Sequence, residues 1–146
     1  MIVVGDASVL VGELLRQRGR ALLLHPGLRV VVAEHQWREA EHELRARVAK
    51  LVADRGLSKE AGNSLLAAAL GVVDAGAIEV VARQAYEPME VIARGRVPRD
   101  PDDWPTVALA LTLQAGILTS DKDFLGCGCP TWTVETLREE LERLGR

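Results

Sequence analysis

Cysteine and aromatic residues are scarce in this 146-residue chain, which has two cysteines and 3% aromatic side chains. The thiols of Cys127 and Cys129 are separated by a single residue. A disulfide across so short a spacing would be strained, and no second Cys or His pair completes a tetrahedral zinc site. We therefore expect two reduced thiols in a loop, and a fold that needs neither disulfides nor structural zinc.

Long apolar runs are also missing from the chain. No segment approaches the about 18 to 20 uninterrupted apolar residues of a membrane span. The opening MIVVGD meets an acidic residue too early to form the apolar region of a signal peptide. From the sequence we expect a cytoplasmic protein with no membrane contact.

The chain has no excess of basic charge, because 21 acidic residues outnumber 18 basic ones and the net charge is −3. This balance does not indicate a general nucleic-acid binder, although a local basic patch would be enough for one. The chain is 48% apolar and 27% charged, as ordinary soluble domains are. We expect one domain over residues 1–146, burying about 70% of its unfolded surface.

Short β-branched runs alternate with segments of helical periodicity. The predicted strands cover residues 2–4, 30–32, 78–81, 117–119 and 131–133. The predicted helices are one after Ser8, a long one ending at Gly56, one beginning at Ser58, one over 83–93, one opened by Asp102 or Asp103 and ended by Gly116, and one over 134–144 capped by Thr133. Residues 21–24 fit either a helix or a strand. The alternation predicts an α/β fold, a three-layer sandwich with a central parallel sheet of four to five strands flanked by helices.

Acidic residues follow two predicted strands, at the ends where open parallel sheets form functional crevices. Asp6 follows IVVG and Asp121 follows ILTS, while Asp103 stands at a helix start and Asp123 lies just after Asp121. Taken singly, each also fits a helix cap, a first-turn acid or a turn residue. Taken together, converging carboxylates raise each other's pKa values, and a hard cation such as Mg²⁺ or Mn²⁺ relieves their repulsion. Such a site suits phosphodiester hydrolysis.

A family resemblance extends this interpretation. The segment DPDDWPTVALALTLQAGILTSDKDFLGCGCPTW resembles the C-terminal signature of PIN domains, the fold of many toxin ribonucleases of bacterial toxin–antitoxin pairs. The opening VVGDASVLVGELL resembles that family's first motif. The resemblance spans nearly the whole chain and is weakest in the middle. It implies a PIN-like fold with a pocket of acids that binds Mg²⁺ or Mn²⁺ and cuts RNA.

The resemblance also implies roles for individual residues. The catalytic acids would be Asp6, Glu39, Asp103 and Asp121, and the metal ligands Asp6, Asp103, Asp121 and Asp123. The hydroxyls of Ser8, Thr119 and Ser120 would support them. Glu39 fits the family's second acid best, and Glu43, one helical turn later, is the alternative.

Two arginine clusters are candidates for RNA contact. Arg94, Arg96 and Arg99 lie just before Asp103, and we expect them to contact the substrate backbone. The other cluster, Arg16, Arg18 and Arg20, fits a solvated helix end equally well. Trp104 fits either the pocket or the core.

The resemblance further implies two protein partners, a second copy of the chain in a homodimer and a small antitoxin. The apolar segment 65–73 carries more apolar surface than a small core readily absorbs, which favours an interface. Its other interpretation is simply interior packing.

Other acidic-site folds fit less well. A response-regulator receiver domain needs adjacent acids after the first strand, and a haloacid-dehalogenase-type phosphatase needs D-x-D where this chain has Asp6, Ala7 and Ser8. A Toprim-like nuclease needs a glycine-rich glutamate loop that is missing near the start. The remaining alternative is a non-catalytic PIN-like module that binds RNA or a protein.

Overall fold

A five-stranded parallel sheet forms the centre of the molecule in the computed structural model, which describes residues 1–145. The strands are β1 (Ile2–Gly5), β2 (Arg29–Ala33), β3 (Ile78–Val81), β4 (Gly116–Leu118) and β5 (Thr131–Trp132), in the spatial order β3-β2-β1-β4-β5. In the middle strand, Val4 aligns with Val31 of β2 and with Ile117 of β4. The predicted parallel sheet is confirmed.

Helices follow the strands along the chain. They are α1 (Ala7–Leu14), α2 (Gln17–Leu23), α3 (Glu34–Asp54), α4 (Lys59–Asp74), α5 (Arg83–Tyr86), α6 (Glu90–Arg96), α7 (Trp104–Leu113) and α8 (Val134–Leu144). The ambiguous segment 21–24 thus lies mainly in a helix. The cap predicted at Thr133 is confirmed, and Ser58, where a helix was predicted to begin, caps α4; each hydroxyl accepts a backbone N–H from the first turn of its helix.

The sheet separates two apolar cores, because successive strand residues point to opposite faces. Val3 and Leu118 face a core with α1 to α4 and α8, whereas Val4 and Ile117 face a core with α5 to α7. Both faces are covered, which explains why the strands are nearly continuous apolar runs rather than alternating ones. The three-layer arrangement is therefore confirmed.

The predicted helix over 83–93 is not continuous. A 3₁₀ turn, Glu87–Met89, separates α5 from α6. Pro88 lies in that turn, where it lacks the N–H of a helical hydrogen bond and its ring obstructs the preceding turn. The continuous-helix prediction was wrong because it gave this proline no weight.

Two predicted helix boundaries were also wrong. Ser8 is not the cap of the first helix, which begins at Ala7, so Ser8 lies in its first turn. The helix α7 ends before Gln114, which adopts a left-handed conformation with φ of 53°, and Gly116 is instead the first residue of β4. A Cβ atom at Gly116 would lie 2.7 Å from the indole nitrogen of Trp132, so glycine is needed there for strand packing.

The apolar segment 65–73 belongs mostly to the interior. In α4, Ala69 and Val72 are buried, and Leu66, Leu70 and Val73 pack against the first core.

Both cysteines are free thiols, as predicted. Among residues 1–145, no helix has the length and apolar character needed to cross a bilayer.

Candidate active site

Asp6 is held in place by two hydroxyl groups at the carboxyl end of the middle strand. It is only 7% exposed, and its Oδ2 accepts hydrogen bonds from Ser8 Oγ at 3.1 Å and Thr119 Oγ1 at 3.0 Å. Its own N–H donates to the carbonyl of Leu118, which joins the ends of β1 and β4. Its side chain makes no capping bond to α1. Asp6 thus occupies the N-cap position of α1 without a side-chain capping bond, and its carboxylate is held instead by the two hydroxyls at the carboxyl ends of the strands.

Thr119 connects Asp6 to the loop that carries the next acid. The Oγ1 atom of Thr119 donates to Asp6 and accepts the N–H of Asp121 at 2.9 Å. The carboxylate of Asp121 in turn accepts the N–H of Asp123 at 2.9 Å and caps a short 3₁₀ turn. A single buried hydroxyl thus fixes one acid and the backbone of a second.

Asp103 approaches the same region from the start of α7. Burial and, after it, the negative charges of Asp100, Asp6, Asp121 and Glu39 together raise the pKa of Asp103 to about 7. Burial also raises the pKa of Asp6, an effect that its hydroxyl donors oppose and that the charge of Asp121 reinforces. Acids from distant parts of the chain therefore repel one another here, as a shared anionic cluster does.

Glu39 lies on the exposed side of α3, with its Oε1 3.3 Å from Nε2 of His35. Its charge contributes to the raised pKa of Asp103. Glu43, one turn later, instead accepts a hydrogen bond from Arg47 Nε at 3.0 Å. Of the two glutamates, Glu39 is thus the one that acts electrostatically on the cluster.

The donor atoms of the cluster are carboxylate and hydroxyl oxygens, which are the ligands that Mg²⁺ and Mn²⁺ prefer. Within residues 1–145, no three His, Cys, Asp or Glu side chains are already arranged as a metal site. The chemistry of the donors fits a divalent cation, and the negative charge of Asp121 contributes to the raised pKa values of both Asp6 and Asp103, after burial. Closure of a coordination shell would require the acids to move together.

Asp123 differs from the other acids because it has a cationic partner. Its Oδ1 lies 3.5 Å from a guanidinium nitrogen of Arg99, and both side chains are at the surface of the molecule. The fourth predicted metal ligand therefore sits at the rim of the cluster, in an ion pair.

Arg94 and Arg96, the other two arginines predicted to contact the substrate, make contacts within the fold. Arg94 donates to Glu90 at 2.8 Å and lies 5.3 Å from the centre of the Trp104 ring, which is buried in the second core. Arg96 donates to the carbonyl of Cys127 at 3.1 Å. Only Arg99 of the three thus contacts an acid of the predicted site.

A cleft that the sequence interpretation did not foresee adjoins the cluster. Ser8, Thr119 and Ser120 line it together with four arginines, namely Arg16, Arg18, Arg47 and Arg138. Arg16 and Arg18 belong to the arginine cluster whose sequence fits a solvated helix end equally well. Arg47 and Arg138 lie on different helices far apart in the chain, so no local sequence pattern connects them to the others. Arg20 does not line the cleft, and donates to the carbonyl of Leu14.

Comparison with known proteins agrees with this geometry. The family model of the PIN domain matches residues 3–142, nearly the full length of the chain. No curated protein matches the chain significantly. The family match covers the elements that bring the acids together, from β1 to α8. The chain belongs to the PIN-domain family and is a nuclease-type module of that fold.

Proposed function

We propose that this protein is a ribonuclease that depends on Mg²⁺ or Mn²⁺ and hydrolyses phosphodiester bonds at Asp6, Glu39, Asp103 and Asp121. The observation that carries the proposal is the buried hydroxyl of Thr119, which donates to Asp6 and accepts the backbone N–H of Asp121, so that two acids from distant parts of the chain meet at the carboxyl ends of the strands. The pKa of Asp103 is raised first by burial and then by nearby negative charges that include Asp6 and Asp121, which places a third acid beside them. A divalent cation is the natural counter-charge for them.

The side chains around the cluster would prepare it for this chemistry. Ser8 and Thr119 hold the Asp6 carboxylate in one orientation, so that a ligand oxygen is already in place before substrate arrives. Thr119 also orders the backbone of Asp121. When bound, the divalent ion supplies activation of water and neutralisation of charge on the phosphate oxygens.

Asp103 and Glu39 complete the acidic wall on the α7 and α3 sides. The raised pKa of Asp103 means that much of it carries a proton near neutral pH when no cation compensates the cluster. Positive charge at the cluster lowers that pKa and favours the carboxylate form. Binding of the cation is thus coupled to loss of a proton from Asp103.

Cleavage of a labelled single-stranded RNA, with Mn²⁺ and with EDTA, tests the proposal. The wild-type chain should cut only with the metal, and Asp6→Asn or Asp121→Asn should reduce cleavage to background. A matched pair compares Asp103→Asn, which should lose cleavage, with its control Asp102→Asn, which should keep it. Asp102 is a neighbouring exposed acid that is not among the charges raising the pKa of Asp103. RNA binding of equal strength in EDTA without any cleavage would refute the nuclease and favour a non-catalytic binding module.

Three finer assignments accompany this proposal; the first two rest on the family and the third on the expectation from the sequence. They are a role as the toxin of a toxin–antitoxin pair, a homodimeric state and a cytoplasmic location. Because segment 65–73 packs mostly in the interior, its apolar surface no longer supports the homodimer. Growth arrest on expression, relieved by a small partner encoded next to this gene, would support the toxin role. Light scattering of the purified chain measures the oligomeric state.

A further inference from the structure

The cleft adjoins the acidic cluster and shares two residues with it. Its volume is about 480 Å³, within the range of about 300 to 1,000 Å³ that ligand-binding sites occupy. Ser8 and Thr119 belong to both places, since they line the cleft and bond to Asp6. A ligand in the cleft can therefore contact the two residues whose hydroxyls bond to the Asp6 carboxylate.

The cleft carries positive charge in a chain whose net charge is −3. Four arginines line it, and Glu13 and Glu135 are its acidic residues. The arginines come from separate parts of the fold: Arg16 precedes α2, Arg18 lies in α2, Arg47 in α3 and Arg138 in α8. Cations from three helices are thus gathered in one depression, next to a site that is strongly negative.

A buried acid anchors two of these arginines. The side chain of Glu13 is 7% exposed, and its carboxylate lies 3.3 Å from Arg16 and 3.9 Å from Arg138. Arg138 also donates to the carbonyl of Arg18 at 3.3 Å. Any side chain at Gly19 would collide with the backbone and carboxylate of Glu13, so the residue opposite must be glycine. Two of the four guanidinium groups, those of Arg16 and Arg138, thus share a buried acidic partner.

We propose that this cleft binds the sugar–phosphate backbone of an RNA strand beside the phosphate to be cut, with Arg16, Arg18, Arg47 and Arg138 as the phosphate contacts. The inference rests on the ribonuclease function proposed above and extends it. Guanidinium groups match phosphate oxygens in geometry and charge. An RNA strand fits better than an acidic protein segment because the cleft lies beside acids that repel a carboxylate-rich peptide, whereas a phosphodiester can be accepted there with a metal ion.

Equilibrium binding in EDTA tests the cleft separately from cleavage. The probe is a fluorescently labelled single-stranded RNA, titrated by anisotropy at several KCl concentrations. The double variant R16Q/R138Q should bind RNA about tenfold or more weakly than the wild type. The slope of log K against log[salt] should become less negative by about 1.4, because each phosphate contact on a single strand contributes about −0.7 to that slope. A purely structural role of these arginines would not change that slope.

The matched control is R45Q/R143Q, which removes the same number of positive charges from positions that do not line the cleft. Arg45 lies on α3, and Arg143 lies on α8, where it pairs with Glu140. This control should keep the wild-type affinity and slope. If thermal unfolding shows that R16Q/R138Q does not fold, R18Q/R47Q replaces it, because both of those side chains are exposed.

The outcomes separate the cleft from the nuclease. Unchanged affinity and slope in the cleft variants, or an equal loss in the control, overturns the cleft assignment while wild-type cleavage with Mn²⁺ still supports the nuclease. Loss of binding in the cleft variants supports the cleft even if the wild-type chain never cuts RNA, in which case the nuclease proposal alone fails. Binding of an oligo-aspartate peptide as tight as that of RNA of equal charge overturns the RNA assignment in favour of an acidic protein segment.

Discussion

Replacing Thr119 with valine is the most informative single change, because it keeps the shape of the side chain and removes only the hydroxyl. Thr119 is 4% exposed, and its Oγ1 makes two hydrogen bonds, one donated to Asp6 and one accepted from the N–H of Asp121. A bond to a charged group contributes about 1.5 to 3 kcal/mol and a neutral one about 0.5 to 1.5 kcal/mol. Since Ser8 still serves Asp6, we expect a loss of about 2 to 4 kcal/mol in the free energy of unfolding.

The matched control is Thr106→Val in the same fold. Thr106 is fully buried in α7, and within residues 1–145 its Oγ1 has no hydrogen-bond partner. Removing an unpaired buried hydroxyl relieves a desolvation cost, so this variant should be neutral or up to about 1 kcal/mol more stable. The same chemical substitution is thus predicted to have opposite signs at two buried positions.

Urea unfolding followed by circular dichroism measures both effects, and thermal unfolding gives an independent check. A loss of that size corresponds to a fall in Tm on the order of 10 °C for a domain of this length. T119V should also cleave RNA more slowly at every metal concentration, because Asp6 and Asp121 lose a shared anchor. The reasoning is refuted if T119V is as stable as the wild type, or if the two variants shift in the same direction by similar amounts.

Three further predictions concern the acids and the sheet. Without divalent cations, Tm should fall as the pH rises from about 4 through about 7, because the pKa of Asp103 is higher in the folded state than in the unfolded state and the stability from its protonated form is lost as it ionises. Calorimetry should show a flatter dependence of Tm on pH for D103N and an unaltered one for D102N. E39Q should lower Mn²⁺-dependent RNA cleavage by about 10²-fold while E43Q stays near wild type. Equal losses of cleavage in the two variants would contradict the catalytic role of Glu39. G116A should destabilise the fold by about 1 to 3 kcal/mol in urea unfolding, because the added methyl group meets the indole of the next strand.

Much of the fold could be predicted because its local signals agree with its packing. The β-branched runs that become β1 and β2 are buried on both faces, so their sequences are apolar without alternation. The cap at Thr133 also carried a clear local signal. At the break before α6 a signal was present in Pro88, since a proline inside a helical pattern ends or kinks the helix. The left-handed end of α7 at Gln114 had no such signal, because glycine is the usual residue there.

The candidate site was partly predictable for the same reason. Asp6 and Asp121 end strands, and strand ends in a parallel sheet meet at one edge. That Thr119 serves both acids through one oxygen follows only from the three-dimensional arrangement. The convergence of Arg47 and Arg138 on one cleft depends on how α3 and α8 pack against α1, which no local pattern specifies.

Anomalous diffraction from crystals soaked in Mn²⁺ tests the central claim most directly. The account predicts one or more manganese peaks within coordination distance of the carboxylates of Asp6, Asp103 and Asp121, accompanied by movement of the exposed acids toward the ion. Absence of any peak there at saturating Mn²⁺, with the three carboxylates still apart, would contradict it.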